Sequence, residues 1–173
     1  MAVRTIVTWP DPVLREPTRP IESANLSEDE DVRALYRDLV DTMYAYSGVG
    51  IAAIQIGDLR QMFVIEAAAV GGSESDDPLA FINPEISWQS DEKERADEGC
   101  LSFPGVFVPI ERSTRARVRA LNLAGESFEL EGEGLLARAF QHELDHLTGR
   151  LVVDFVGPLK QKMIRRKLKR DAA

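Results

Sequence analysis

The segment Gln141-His142-Glu143-Leu144-Asp145-His146 constrains this chain more than any other. On an α-helix, residues four apart stand one turn apart on the same face, so both imidazoles can reach a single point. Leu135, Leu136, Ala139, Phe140, Leu144 and Leu147 make a broad apolar stripe around them, and Gly149 follows as a stop. The pattern predicts a helix from about Glu133 to Leu147, with His142 in line with Leu135 and Ala139 on a buried or half-buried face. Glu143 lies beside His142, where a carboxylate can act on a metal-bound water without ligating the ion.

Scarcity narrows the chemistry further. The 173 residues include two histidines and one cysteine, Cys100, which cannot form an internal disulfide. A catalytic site of this type takes three protein ligands and keeps one position open. Downstream, Gly149 has the metzincin spacing, but Val152 stands where a third histidine would be. No glutamate follows His146, and the only later carboxylates are Asp154 and Asp171. Both common protease arrangements fail, which counts against a metallo-endopeptidase. The third ligand is therefore sought upstream, and Cys100, in Glu98-Gly99-Cys100-Leu101-Ser102, is the candidate. A lone cysteine is otherwise a packing residue; the histidine pair favours ligation. A Cys/His/His set suits zinc or ferrous iron alike.

The bulk properties set the frame for this site. Apolar residues make up 44% and charged residues 29%, which is ordinary globular composition. No apolar run has membrane-spanning length, and the first residues lack the features of a secretory signal, so a cytoplasmic address is expected. One unit, 1–173, is expected, since no repeat or linker divides the chain. The net charge of −8 argues against a generally nucleic-acid-binding surface. It is unevenly spread: Lys160 to Arg170 holds seven basic residues and no acid, whereas the chain up to Leu159 holds 14 basic and 28 acidic residues.

Periodicity supplies the other elements. The proline-rich start through Pro20 reads as an extended arm with turns. Ser27, with Glu30 completing a capping box, opens a first helix that Ser47-Gly48 ends. Met62–Ile65 and Leu79–Ile82 read as strands. Arg115–Leu121 alternates Ala116, Val118 and Ala120 against three arginines, and pairs with Ser127–Glu131 as a hairpin. A basic helix at about 158–170 closes the chain. The expected class is α+β: antiparallel strands around a central helix carrying H-E-x-x-H, plus an N-terminal and a C-terminal helix. Gly48-Val49-Gly50-Ile51-Ala52-Ala53-Ile54-Gln55 allows close backbone approach, either as a helix-ending turn with tight packing or against a ligand. Ala53 breaks the G-x-G-x-x-G spacing and excludes a dinucleotide site.

Taken together, Gly48–Gln55, Glu98–Ser102 and Gln141–Leu147 resemble the three motifs of the peptide deformylases, in order and at fitting separations. Pro10–Arg15, Ile82–Glu85 and Gly149 through Gln161 extend the resemblance over nearly the whole chain. The loop Phe103–Val108 is apolar, where several relatives carry an arginine or another charge. The resemblance implies removal of the N-formyl group from the initiator methionine of new polypeptides, with formate released. It implies Cys100, His142 and His146 as ligands of one divalent ion, iron(II) in the cell and Zn(II), Ni(II) or Co(II) in a purified sample. A metal-bound hydroxide would attack the formyl carbon, with Glu143 as general base and acid. Gln55 and the Leu101 backbone N–H would hold the oxyanion, and Val49, Gly50 and Gly99 would align an N-formylmethionyl peptide. No membrane partner is implied. In some relatives the C-terminal helix docks on the ribosome, which makes the basic tail here a candidate for the same contact.

Overall fold

Four consecutive apolar residues bury both faces of a short strand, Met62–Ile65 (β2), and the fold is arranged around it. The structure, a computed structural model, describes residues 2–172. Met62 and Val64 face one core with Val32, Leu35, Leu39 and Met43 of helix α1 (Glu30–Ala45). Phe63 and Ile65 face a second core with Ala137, Phe140 and Leu147 of helix α2 (Leu135–Leu147). Phe63 stacks on Phe81 at 4.7 Å between ring centres, and Phe81 meets Phe140 edge-on at 5.7 Å. A full-sized buried aromatic side chain contributes roughly 1.5–3 kcal/mol by burial alone, so this trio anchors α2 to the sheet.

The sheet adds strands β1 (Gly50–Ala52), β3 (Leu79–Gln89), β6 (Arg115–Leu121) and β7 (Ser127–Glu133), in the order β1-β2-β3-β6-β7 and antiparallel throughout. The predicted hairpin is β6–β7, from Arg115↔Glu133 to Leu121↔Ser127. Ala116, Val118 and Ala120 are buried as their alternation requires. Opposite them, Arg115 and Arg117 pair with Glu131, and Arg119 with Glu129 and Glu85. Such exposed pairs stabilise little.

β3 runs well past the Leu79–Ile82 expected, because Asn83, at φ 50°, bulges the strand and lets it continue. The Asn83 side chain takes the Ile21 N–H at 2.7 Å and donates to the Ile21 carbonyl at 2.9 Å, pinning the N-terminal arm like one more strand pair. A second, two-stranded sheet, β4 (Lys93–Gly99) with β5 (Phe107–Ser113), has no counterpart in the sequence reading. Charged residues fill β4, and its contacts with β5 and α2 hold it in place of apolar alternation.

Two helix starts differ from expectation. α1 starts at Glu30 and is capped by Asp29, whose carboxylate takes the Val32 N–H at 3.1 Å. Ser27 instead lies in the preceding 3-10 turn and bonds Asn25. α2 starts at Leu135 because Glu133 is still in the ladder with β6; Gly134, at φ 60°, makes the turn between them. Leu135, first in the helix and clear of the sheet, is 85% exposed and not part of the buried stripe. Beyond Gly149 the chain ends in helix α3 (Pro158–Ala172), which buries Ile164 and Leu168 against Trp9, Phe103 and Val108. Among the described residues, no helix is long and apolar enough to cross a membrane.

α2 touches β1, β3, β6 and β7 of the large sheet and β5 of the small one. Its approach depends on Gly132 of β7: a Cβ there would lie 2.6 Å from Leu136 Cγ and 3.0 Å from Phe140 Cε2. Gly132→Ala is expected to destabilise by about 1–3 kcal/mol through overpacking. Urea unfolding measures this, and a midpoint equal to wild type would show that α2 can ride outward freely.

Candidate metal centre

Three segments distant in sequence meet at the buried face of α2. Helical spacing turns His142 and His146 to the same side, with their Nε2 atoms 3.2 Å apart. β4 ends at Gly99, and the next residue, Cys100, brings its Sγ to 3.6 Å from His146 Nε2. One donor atom from each of the three residues lies within 4.8 Å of the others. Imidazole–metal bonds of about 2.0–2.1 Å and a thiolate bond of about 2.3 Å, at tetrahedral angles, put two nitrogens about 3.3 Å apart and nitrogen and sulfur about 3.6 Å apart. The observed spacings match, so this donor set fits a divalent ion.

Polar partners fix the ligands. Glu98 Oε1 lies 2.6 Å from His142 Nδ1, the arrangement that orients an imidazole and leaves Nε2 toward a metal. Strand alternation puts Glu98 and Cys100, two residues apart, on one side of the chain. Burial alone would raise the Glu98 carboxyl, but hydrogen bonds from His142 and Arg112 outweigh it and hold it at about 2. Arg112 of β5 reaches Glu98 at 2.7 and 3.1 Å and Asp145 of α2 at 2.6 Å. Arg138 of α2 reaches Glu98 at 3.0 Å. Gln141 exchanges hydrogen bonds with the Ser113 backbone at 3.0 and 2.9 Å, docking α2 where β5 passes into β6.

Burial drives His146 well below the ordinary histidine range, aided by His142 beside it, and so favours the neutral, ligating form. Burial also opposes charge on His142, yet Cys100 and Glu98 outweigh it and raise that group. Glu143 faces the pair, its Oε1 3.9 Å from His142 Nε2. Burial pushes its carboxyl up to about 7. Glu143 Oε2 and His146 Nδ1 are buried with no hydrogen-bond partner among the described residues.

The glycine segment forms the opposite wall. β1 is the edge strand of the large sheet and includes Gly50, where a Cβ would stand 3.6 Å from Glu143 Oε1 and 3.2 Å from the Val64 carbonyl oxygen. Gln55, in the 3-10 turn Ala53–Ile56, accepts the Ala52 N–H at 3.0 Å through Oε1. Its Nε2 therefore points at Ser102 Oγ, 3.1 Å away, and at Cys100 Sγ, 3.6 Å away. Gly48 packs under Leu101: a Cβ would meet Leu101 Cδ1 at 2.8 Å. Gly99 lies against the Phe107 ring, with 3.0 Å to a Cβ built there. Val49, half exposed, takes the Glu66 N–H at 2.9 Å on its carbonyl. The N-terminal arm ties the two motif loops together, Val7 N–H to the Gln55 carbonyl at 2.7 Å and Trp9 N–H to the Ser102 carbonyl at 3.0 Å.

Of the residues singled out in the sequence, Cys100, His142 and His146 form the donor cluster, Glu143, Gln55 and Gly50 lie against it, and Val49, Gly99 and Leu101 are their chain neighbours. The reading missed Arg112, Arg138 and Asp145. Arg138 could have been found, since a charge one turn before His142 interrupts the apolar stripe. Arg112 gives no local signal. A cleft of about 610 Å³ elsewhere, lined by Arg33, Tyr36, Pro78, Leu79, Asn122 and Phe128 among others, includes none of these residues, so donor chemistry locates the centre where concavity does not.

Comparison with known proteins agrees. The family model for polypeptide deformylase matches residues 3–162. A peptide deformylase of Bartonella tribocorum is 44% identical over 172 residues, covering 99% of this chain and 94% of that protein. The crystal structure of a peptide deformylase from Legionella pneumophila superposes with a TM-score of 0.89 at 40% identity, covering 99% of this chain and 96% of that one. That of Ehrlichia chaffeensis, solved in complex with actinonin, gives 0.89 at 35% identity, covering 99% and 98%. With its sequence matched almost end to end and its α+β architecture shared, this chain belongs to the polypeptide deformylase family, a family of metal-dependent hydrolases.

Proposed function

We propose that this chain removes the N-formyl group from the initiator methionine of newly made polypeptides and releases formate. The observation that carries the reading is the convergence of Cys100, His142 and His146 beside the buried Glu143 carboxylate, in a chain of this family. The three ligands would hold one divalent ion, iron(II) in the cell and Zn(II), Ni(II) or Co(II) after purification. When bound, such an ion supplies a Lewis acid that lowers the pKa of a water to about 7 and draws charge from a carbonyl oxygen.

The chain's own groups do the rest. Glu143, beside His142 and with one oxygen uncommitted, would take the proton from the attacking water and hand it to the departing amine. Gln55 Nε2, held in its orientation through the Ala52 N–H, would donate to the developing oxyanion together with the Leu101 backbone N–H. Donors of this kind each contribute about 2.7–4 kcal/mol. Val49, Gly50 and Gly99 would align the formyl peptide as a strand added to the edge strand β1. The missing side chain at Gly50 supports this, since a methyl would crowd Glu143 and the Val64 carbonyl. Residues 1–173 would act as one catalytic unit working in the cytoplasm, where formylated chains are made.

Formate release from formyl-Met peptides, measured with anaerobic metal analysis, tests the reaction. Glu143→Ala is expected to retain the ion and lose about 10²–10⁴-fold in kcat; near-normal turnover would refute its role. Cleavage of internal peptide bonds with no formate release would make the chain an endopeptidase instead. Cys100→Ala is expected to lose most of its bound metal on dialysis, and an unchanged metal content would mean that another group is the third ligand.

We further propose that α3 docks on the ribosome, which would hold the enzyme beside the emerging chain. Supporting this, α3 buries only Ile164 and Leu168, leaves Leu159 and Met163 exposed, and carries seven basic residues against an acidic body. Binding to purified ribosomes should weaken steeply with salt and vanish when Lys160–Arg170 is deleted. Persistence of binding in either case would exclude the helix.

A further inference from the structure

Arg138 has no part in the proposed chemistry, yet its guanidinium makes three hydrogen bonds beside the site. It stands four residues before His142, one turn away on the same face of α2. Its side chain is 11% exposed. Nη1 donates to Glu98 Oε2 at 3.0 Å and to the Ile110 carbonyl at 2.9 Å, and Nη2 donates to the Glu94 carbonyl at 2.8 Å. One guanidinium therefore grips the Glu98 side chain, the backbone of β4 and the backbone of β5 from the helix that carries both histidines.

The Glu98 carboxylate is fully engaged. Oε1 meets His142 Nδ1 and Arg112 Nη2; Oε2 takes Arg112 Nε and Arg138 Nη1. Arg112 alone fixes the carboxylate to β5, on the hairpin's own side. Arg138 ties Glu98 Oε2 to α2, beside the bond from His142 to Oε1 and the Arg112–Asp145 pair, and alone of these also holds the backbones of β4 and β5. Cys100 follows β4 directly, so a bond that holds β4 to α2 acts on the segment that carries the thiol.

We propose that Arg138 is a positioning residue for the metal centre, which it serves by clamping Glu98 and the β4–β5 hairpin to α2. The proposal rests on Cys100, His142 and His146 holding an ion, and not on the reaction. A lysine keeps the charge but lacks the planar fork that spans two strands and a carboxylate, so it cannot replace all three bonds.

The test uses Co(II)-loaded full-length protein, with affinity from chelator competition and geometry from the visible spectrum and thiolate charge-transfer band. Thermal unfolding of the metal-free protein is measured alongside. R138M is expected to weaken Co(II) binding about 10–100-fold, as loss of a ligand's hydrogen-bonding support does, and to alter the charge-transfer band. R138K should recover part of the affinity. E98Q combined with R138M should be no weaker than E98Q alone, since both act through one carboxylate. Should R138M fail to fold, R138K carries the test by the same readouts. A fall in Tm with Co(II) affinity and spectrum unchanged in either variant would make Arg138 merely structural and overturn the proposal. Wild-type protein that binds no Co(II) through a thiolate would overturn both this inference and the site. Tight Co(II) binding without formate release would sink only the proposed reaction.

Discussion

Glu98 is a buried carboxylate surrounded by donors: two guanidiniums and an imidazole fill its lone pairs, and its exposure is 6%. Taking such charges out of water costs several kcal/mol per ion, and only close geometry with every lone pair satisfied offsets it. Here the geometry is close because β4, β5 and α2 each contribute to the cluster. Removing one partner of a cluster of this kind destabilises by about 3–5 kcal/mol, since an uncompensated charge stays behind. Three elements are thereby tied where the thiolate and the imidazoles must meet.

Around the junction the fold separates two tasks. The Phe63–Phe81–Phe140 stack and the fully buried strand β2 give a stiff apolar platform for α2. The edge strand β1 and the turn carrying Gln55 lie against the other side of the Cys100–His142–His146 cluster. The N-terminal arm, bonded to the Gln55 and Ser102 carbonyls, couples those two segments to each other. On the proposed function, α2 would supply two of the ion's three ligands and the sheet edge would receive the substrate, which suits presentation of an extended chain end to a fixed nucleophile.

Much of the site was legible because its chemistry is local. The one-turn spacing of His142 and His146 and the adjacency of Glu143 are properties of any helix. The rarity of cysteine and histidine left Cys100 as the natural third ligand. Hairpin β6–β7 was readable from strict alternation, with Ala116, Val118 and Ala120 inward. β4 was not: Lys93-Glu94-Arg95-Ala96-Asp97-Glu98 shows no apolar face, because its role is to pair with β5 and to send Glu98 inward. The cap of α1 was misread for a related reason, since Ser27 and Asp29 are both competent caps and only the 3-10 turn at Leu26–Glu28 selects between them.

What the amino-acid order determined by itself was a helix with two imidazoles and an acid on one turn, and a short set of residues able to complete a metal site. Those are consequences of a fixed helical pitch and of donor chemistry, both independent of the surrounding fold. Only the tertiary structure decided that Cys100 reaches the histidines, that Arg112 and Arg138 share Glu98, and that Gly50 leaves room beside Glu143. Such contacts join residues tens of positions apart, and their distances depend on how a sheet edge, a hairpin and a helix pack together. No local periodicity encodes that packing.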